Sequence, residues 1–287
     1  MLGMTWRRFR RHRPALVGIG VIVLLVLLAV SAPVVSPYDP EQTNLDIRLQ
    51  PPTLAHLMGT DELGRDLFTR ILYGSRISLA IGVLSMMLAV TIGVLIGAAA
   101  GFHGGWIDGV LMRVTDVFLA FPRLFVLILV TTLLRQLNLP WLPAGSFAPI
   151  IFVIGLLSWM SVARLVRASY LSIREKEYIE AARGVGAGDA RIMFRHILPN
   201  AASPIIVAGT LGVAASILTE SGLSYLGFGV QLPTPTWGNM LRSAQAQMTY
   251  APWTAVFPGL MIFSAVIAIN YIGDGLRDAL DPQREVR

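Results

Sequence analysis

Six long apolar windows constrain what this 287-residue chain can fold into more than any other feature. The hydrocarbon core of a bilayer, about 30 Å thick, is crossed by roughly 20 residues rising about 1.5 Å each in an α-helix. Windows of that kind run from Ala15 to Ala32, Ile77 to Ala100, Val117 to Leu137, Phe147 to Ala163, Ala201 to Gly222 and Thr254 to Ile272. Inside hydrocarbon each segment must satisfy its own backbone polar groups, so every window is read as a helix. The expected fold is all-α: a polytopic membrane protein with about six transmembrane helices. The third window is the least regular, because Pro122, Arg123 and Arg135 interrupt it and leave an apolar core only from Leu124 to Leu134. Composition agrees, with 54% hydrophobic and 14% charged residues, against roughly 45–50% and about 25% in soluble domains.

Arginine and lysine set the expected orientation, because basic connections tend to stay cytoplasmic. Of the 23 basic residues, with Arg123 and Arg135 counted to the connections on their own sides of the third window, 17 lie before the first window, in alternate connections after it, or behind the sixth, and 6 lie in the other connections. Both termini and the segment 175–200 are therefore expected in the cytoplasm. A cleaved signal peptide is the competing reading of the first window, given its basic start and the small residues Ala29 and Ser31, but its apolar run exceeds the usual 7 to 15 residues or so. Net charge of +6 does not indicate nucleic acid, because the basic residues flank apolar spans and lack interleaved stacking aromatics. Cysteine is absent, which removes disulfides, thiolate metal sites and cysteine nucleophiles.

Two connections on the other side carry local signals. In GTDELGRDLFTRILYGSR, Leu67, Phe68, Ile71 and Leu72 share one helical face, and Asp66 and Arg70 stand at ion-pair spacing. A short interfacial helix leading into the second span is expected, with a plain amphipathic connector as the alternative. VQLPTPTWGNML, with its prolines and Trp237, reads as a folded cap at the membrane interface.

The stretch EAARGVGAGDARIMFRHILPN, Glu180 to Asn200, is charged and glycine-turned although it lies between two apolar windows. Glu180 to Arg183 favour helix, Gly184, Gly186 and Gly188 permit a sharp turn, and Asp189 starts a second helix expected to end before Pro199. Ile192, Met193, Ile197 and Leu198 offer apolar contact, and Arg183, Arg191, Arg195 and His196 offer charge. Such an element either locks into a groove of another protein or lies on anionic lipid, and its residues alone leave both open.

EAARGVG followed by HILPN resembles the cytoplasmic EAA motif of ABC-type importer permeases, with Glu180, Ala181, Ala182, Gly186, Leu198 and Pro199 at the matching positions. His196 stands where that pattern has an aliphatic residue. HLMGTDELGRDLFTRILYGSRISL, GWIDGVLMRVTDVFLAFP and ESGLSYLGFGVQLPTPTWGNML are similar to the second permease of dipeptide and oligopeptide importers. The resemblance implies the type I importer permease fold in a bacterial-type cytoplasmic membrane. It implies a partner interface for ATP-hydrolysing subunits at Glu180, Ala181, Ala182, Arg183, Gly186, Asp189, Arg191, Ile197, Leu198 and Pro199. Further implied partners are a homologous second permease subunit, an extracytoplasmic substrate-binding protein and a peptide substrate, with the lipid bilayer as surroundings and no nucleic acid. The chain then divides into a basic cytoplasmic N-terminus (1–14), a first helix (15–32), an external loop (33–76), a five-helix permease core (77–273) and a cytoplasmic C-terminus (274–287).

No cofactor is expected in this chain. The sole lysine, Lys176, follows Glu175, so the GxxxxGK[ST] phosphate loop is absent and ATP with its magnesium falls to partner subunits. His12, His56, His103 and His196 are scattered without metal-ligand spacing, and Asp108 and Asp116 show no partner for acid–base work, so enzyme activity is not expected. Glu220 and Asn270, polar groups inside the fifth and sixth windows, are candidates for a translocation pathway, with helix-packing hydrogen bonds as the alternative. An ion-coupled secondary transporter is the competing class. It calls for several intramembrane titratable groups and paired interrupted helices, of which the sequence offers one strong acid and no clear repeat. A lipid-surface scaffold without transport would leave the EAA-like helix pair without a moving partner. Non-peptide cargo such as a nickel chelate, glutathione or a sugar remains a further alternative.

Overall fold

A computed structural model describes residues 2–137 and 146–280. The described residues are helical apart from connecting segments and a single β-bridge, Thr60 to Asp66. The helices are α1 Leu2–Phe9, α2 Arg13–Val35, α3 Leu67–His103, α4 Gly105–Ala120, α5 Arg123–Gln136, α6 Ala148–Leu156, α7 Trp159–Arg174, α8 Glu177–Gly184, α9 Asp189–Arg191, α10 Leu198–Tyr225, α11 Trp237–Ala244 and α12 Trp253–Leu280, with a π-helical turn, Ile192–Ile197, joining α9 to α10. Four runs are individually long and apolar enough to cross a bilayer: α2, α3, Asp189–Tyr225 and α12. The pairs α4–α5 and α6–α7 qualify together, bent by 90° and 42°, which gives six spans when each pair counts as one. The C-terminal positions 281–287, with Arg284 and Arg287, lie outside the described residues.

Windows one, two, five and six fall within α2, α3, α10 and α12. The third differs. Its helix does not start at Val117: α4 begins at Gly105, and the expected window straddles a break at Phe121 and Pro122. Proline lacks an N–H and drives the preceding residue out of the helical region, and Phe121 accordingly sits extended at φ −83°, ψ 140°. In the fourth window the bend lies at Leu157 and Ser158, where the Ser158 hydroxyl donates back to the Ile154 carbonyl at 2.5 Å, a bond that competes with the helical ladder.

The expected interfacial helix is also corrected. Residues 67–76 are the first turns of α3 itself, and Leu67, Ile71 and Leu72 are fully buried rather than laid on a membrane surface. Nor does Asp66 pair with Arg70. Its carboxylate caps α3 by accepting from the Thr69 amide at 2.7 Å and lies 3.0 Å from His56 Nδ1. Arg70 turns to Asp61 (3.5 Å) and donates to the Pro40 carbonyl (2.9 Å).

Small residues let α3 act as the central post. Gly93, Gly97 and Gly101 recur every fourth position on the face against α7, and a methyl group on Gly93 or Gly101 would meet Val162 or Tyr170 at 2.6 Å. Backbones can approach this closely only without side chains between them. Phe9, Ala15 and Ala279 pack together, so the N-terminal segment and the end of α12 meet. Arg277 and Leu280 share a cavity wall with Ser203 and Pro204, which sets the end of α12 beside the start of α10.

Candidate functional site

The segment between α7 and α10 folds as a knuckle at the His103 end of α3. Arg174, the last residue of α7, donates to the Gly101 and Phe102 carbonyls at 3.2 and 3.1 Å, satisfying acceptors left open where α3 ends. Glu177 and Glu180 occupy the first turn of α8, where carboxylates favour the helix dipole. Gly186 closes α8 at φ +84°. Its amide donates to Arg183 and that of Ala187 to Ala182, at 2.9 and 3.0 Å, the paired bonds of a glycine-terminated helix.

The knuckle has two distinct sides. Inward, Ile179, Ile192 and Ile197 are fully buried, joining a core that includes Phe102, Val166 and Tyr170. The Tyr170 hydroxyl donates to the Met193 carbonyl at 3.0 Å, and Arg183 lies 5.6 Å over the Phe102 ring. Outward, Glu180, Ala181, Arg183, Gly186, Asp189, Arg191 and Pro199 are exposed, while Ala182 and Leu198 are half-buried. Ile197 is thereby corrected: expected on a partner surface, it belongs to this chain's own core, as do Ile192 and Met193. The outward apolar groups are Tyr178, Val185 and Phe194, exposed by 46%, 87% and 50%. Sequence reasoning missed all three, although Tyr178, Ala181 and Val185 follow the spacing of one helical face.

The second helix of the knuckle does not stop before Pro199. The run Asp189–Tyr225 continues through the π-helical turn into α10. A proline ring clashes with the carbonyl four residues back in a regular helix, and the widened turn just ahead of Pro199 accommodates it.

Two family models match the chain, one described as the binding-protein-dependent transport system inner membrane component, over residues 93–286. The other, the N-terminal TM domain of oligopeptide transport permease C, matches residues 1–52. The chain belongs to the binding-protein-dependent transport permeases. It is 42% identical to a glutathione transport system permease protein of Pectobacterium atrosepticum, covering 97% of this chain and 90% of that one. A dipeptide transport system permease protein of Alkalihalophilus pseudofirmus is 40% identical over 97% of this chain and 89% of its own. An oligopeptide transport system permease protein of Bacillus subtilis is 42% identical over 96% and 88%.

In this permease the two pathway candidates sit on different helices, Glu220 on α10 and Asn270 on α12. Glu220 is fully buried, accepting from Ser224 at 2.7 Å and Ser78 at 3.4 Å, so it ties α10 to α3 and lines no open passage in this conformation. Asn270 is half-buried on α12. Asp108 and Asp116, without apparent partners in the sequence, both pair with α7: Asp108 takes a two-pronged contact from Arg167, and Asp116 is held by Arg164. Such bidentate pairing fixes orientation as well as charge. Among the described residues no three histidine, aspartate or glutamate side chains gather as a metal site.

Proposed function

We propose that this permease is one membrane half of an ATP-driven peptide importer in the cytoplasmic membrane. Its knuckle faces the cytoplasm and seats in a groove of separate subunits that bind ATP and magnesium. A homologous permease completes the passage, and an extracytoplasmic binding protein delivers cargo. The observation that carries this reading is the two-sided knuckle: a core-anchored inner face, and an outer face mixing Tyr178, Val185 and Phe194 with charges of both signs. An amphipathic element of this kind suits a protein groove better than a lipid surface, where its acidic residues Glu177, Glu180 and Asp189 would be repelled. Motion of the ATPase subunits would pass through α9 and the π-helical turn directly into α10. Peptide cargo is favoured because the relatives above are named for dipeptides, oligopeptides and glutathione, itself a tripeptide.

The test is transport by the assembled complex in proteoliposomes. Glu180→Ala and Gly186→Pro should each abolish uptake or leave ATP hydrolysis running without it. Wild-type uptake by both variants sinks the reading.

A further inference from the structure

The two bent spans meet at their bends. Arg123, the first residue of α5, donates to the Ser158 hydroxyl at 2.7 Å, joining the break after α4 to the break before α7. Between them lies a cavity of about 430 Å³ lined by Phe118, Phe121, Leu129, Leu157, Met160 and the Arg123 side chain, within the roughly 300–1,000 Å³ range of small-ligand sites. Its depth follows from the packing of α3. Gly155 faces Leu88, and Gly93 faces Val162 and the Trp159 carbonyl, so Ser158 stands level with the middle of the apolar window Ile77 to Ala100.

Arg123 differs from its neighbours. Arg164 and Arg167 each hold a carboxylate, and Arg135 and Arg174 hold backbone carbonyls. Among the described residues Arg123 has one hydroxyl and no carboxylate, and no residue lining the cavity is acidic. Arg123 is exposed on this chain, and a cation without a carboxylate at mid-membrane depth is expensive against lipid, so it marks a position facing water, a ligand or a partner more often than packing. Two helices, of 14 and 16 residues, start at the two ends of this side-chain link without a side-chain capping bond, α5 after Pro122 and α7 after Ser158. Helix starts carry partial positive charge, and broken helices in transporters use such starts toward anionic cargo.

We propose that Arg123, with the starts of α5 and α7 that its side chain links, forms a transit site for the C-terminal carboxylate of the peptide cargo, the cargo's side chains lying against the apolar wall. The inference rests on the peptide reading given above. In the assembled transporter, uptake of trialanine is compared with uptake of its C-terminal amide, and the ratio of the two is taken for each variant. Any preference of the binding protein is common to all variants and cancels in the comparison. Arg123→Gln should lower the acid-to-amide ratio about tenfold, Arg123→Lys should retain it within about threefold, and Ser158→Ala, which leaves the charge in place, should change it less than about twofold. Equal loss of both peptides in Arg123→Gln, or a Ser158→Ala effect as large, would make Arg123 a structural group and overturn the site. An unchanged ratio in Arg123→Gln does the same while leaving the peptide reading intact. Failure of the wild-type complex to import either peptide removes that reading, and the site with it.

Discussion

The two ends of α3 are finished in opposite ways. At the Leu67 end, the last turn of the loop before α3 and the first turn of α3 fold charges inward. Asp61, Arg65 and Arg70 are all buried, and the Asp61 carboxylate takes two backbone amides (2.9 and 3.0 Å), Arg65 Nε (2.7 Å) and, more loosely, Arg70. Trp237 is fully enclosed there, its indole donating to Ser75 at 3.1 Å. At the His103 end the knuckle buries isoleucines and turns its charges outward. The first end pairs most of its buried charges internally, with Arg65 Nη2 left without a hydrogen bond; the second displays its charges at the surface. Substitutions should therefore cost stability at one end and association at the other.

The largest expected effect tests the inward end. Asp61→Ala strands two buried guanidinium groups and should destabilise the protein by about 3–5 kcal/mol, read as a lowered unfolding midpoint in detergent. A loss under about 1 kcal/mol would mean that water reaches this cluster and that the two ends are alike. Next comes the backbone of the knuckle. Gly186→Ala forces a side chain into the left-handed region at φ +84° and should cost about 1–2 kcal/mol, with the Asn variant milder because asparagine tolerates that conformation better. The smallest stability effect belongs to the outward surface. Phe194→Ser should shift stability by less than about 0.5 kcal/mol while weakening co-purification with the proposed ATPase subunits. A stability loss matching that of Asp61→Ala would erase the contrast.

Much of the architecture was legible, because hydrocarbon demands long apolar runs and those runs stand out at Ala15, Ile77, Ala201 and Thr254. Pro122 announced trouble in the third window, but not that the span would start at Gly105 and turn by 90°. The partners of Asp108 and Asp116 were invisible, since Arg167 and Arg164 lie 59 and 48 residues away and only folding brings them near. In the knuckle, apolar residues were recognised but assigned to the wrong face. Ile192 and Ile197 are five apart, a spacing that splits faces in a regular helix, yet both point inward across the π-helical turn. Glu220 was correctly singled out as unusual. Its role was not readable, because Ser78 approaches it from 142 residues away.

The unbroken course from Asp189 to Tyr225 has a geometric consequence. Its 37 residues form a bar about 55 Å long. Pivoting one tip by ten degrees would sweep the other through about 10 Å, enough to open or shut a gap the width of a helix. Glu220, riding near the far tip and hydrogen-bonded to α3, would then be the clasp that each stroke must stretch or release.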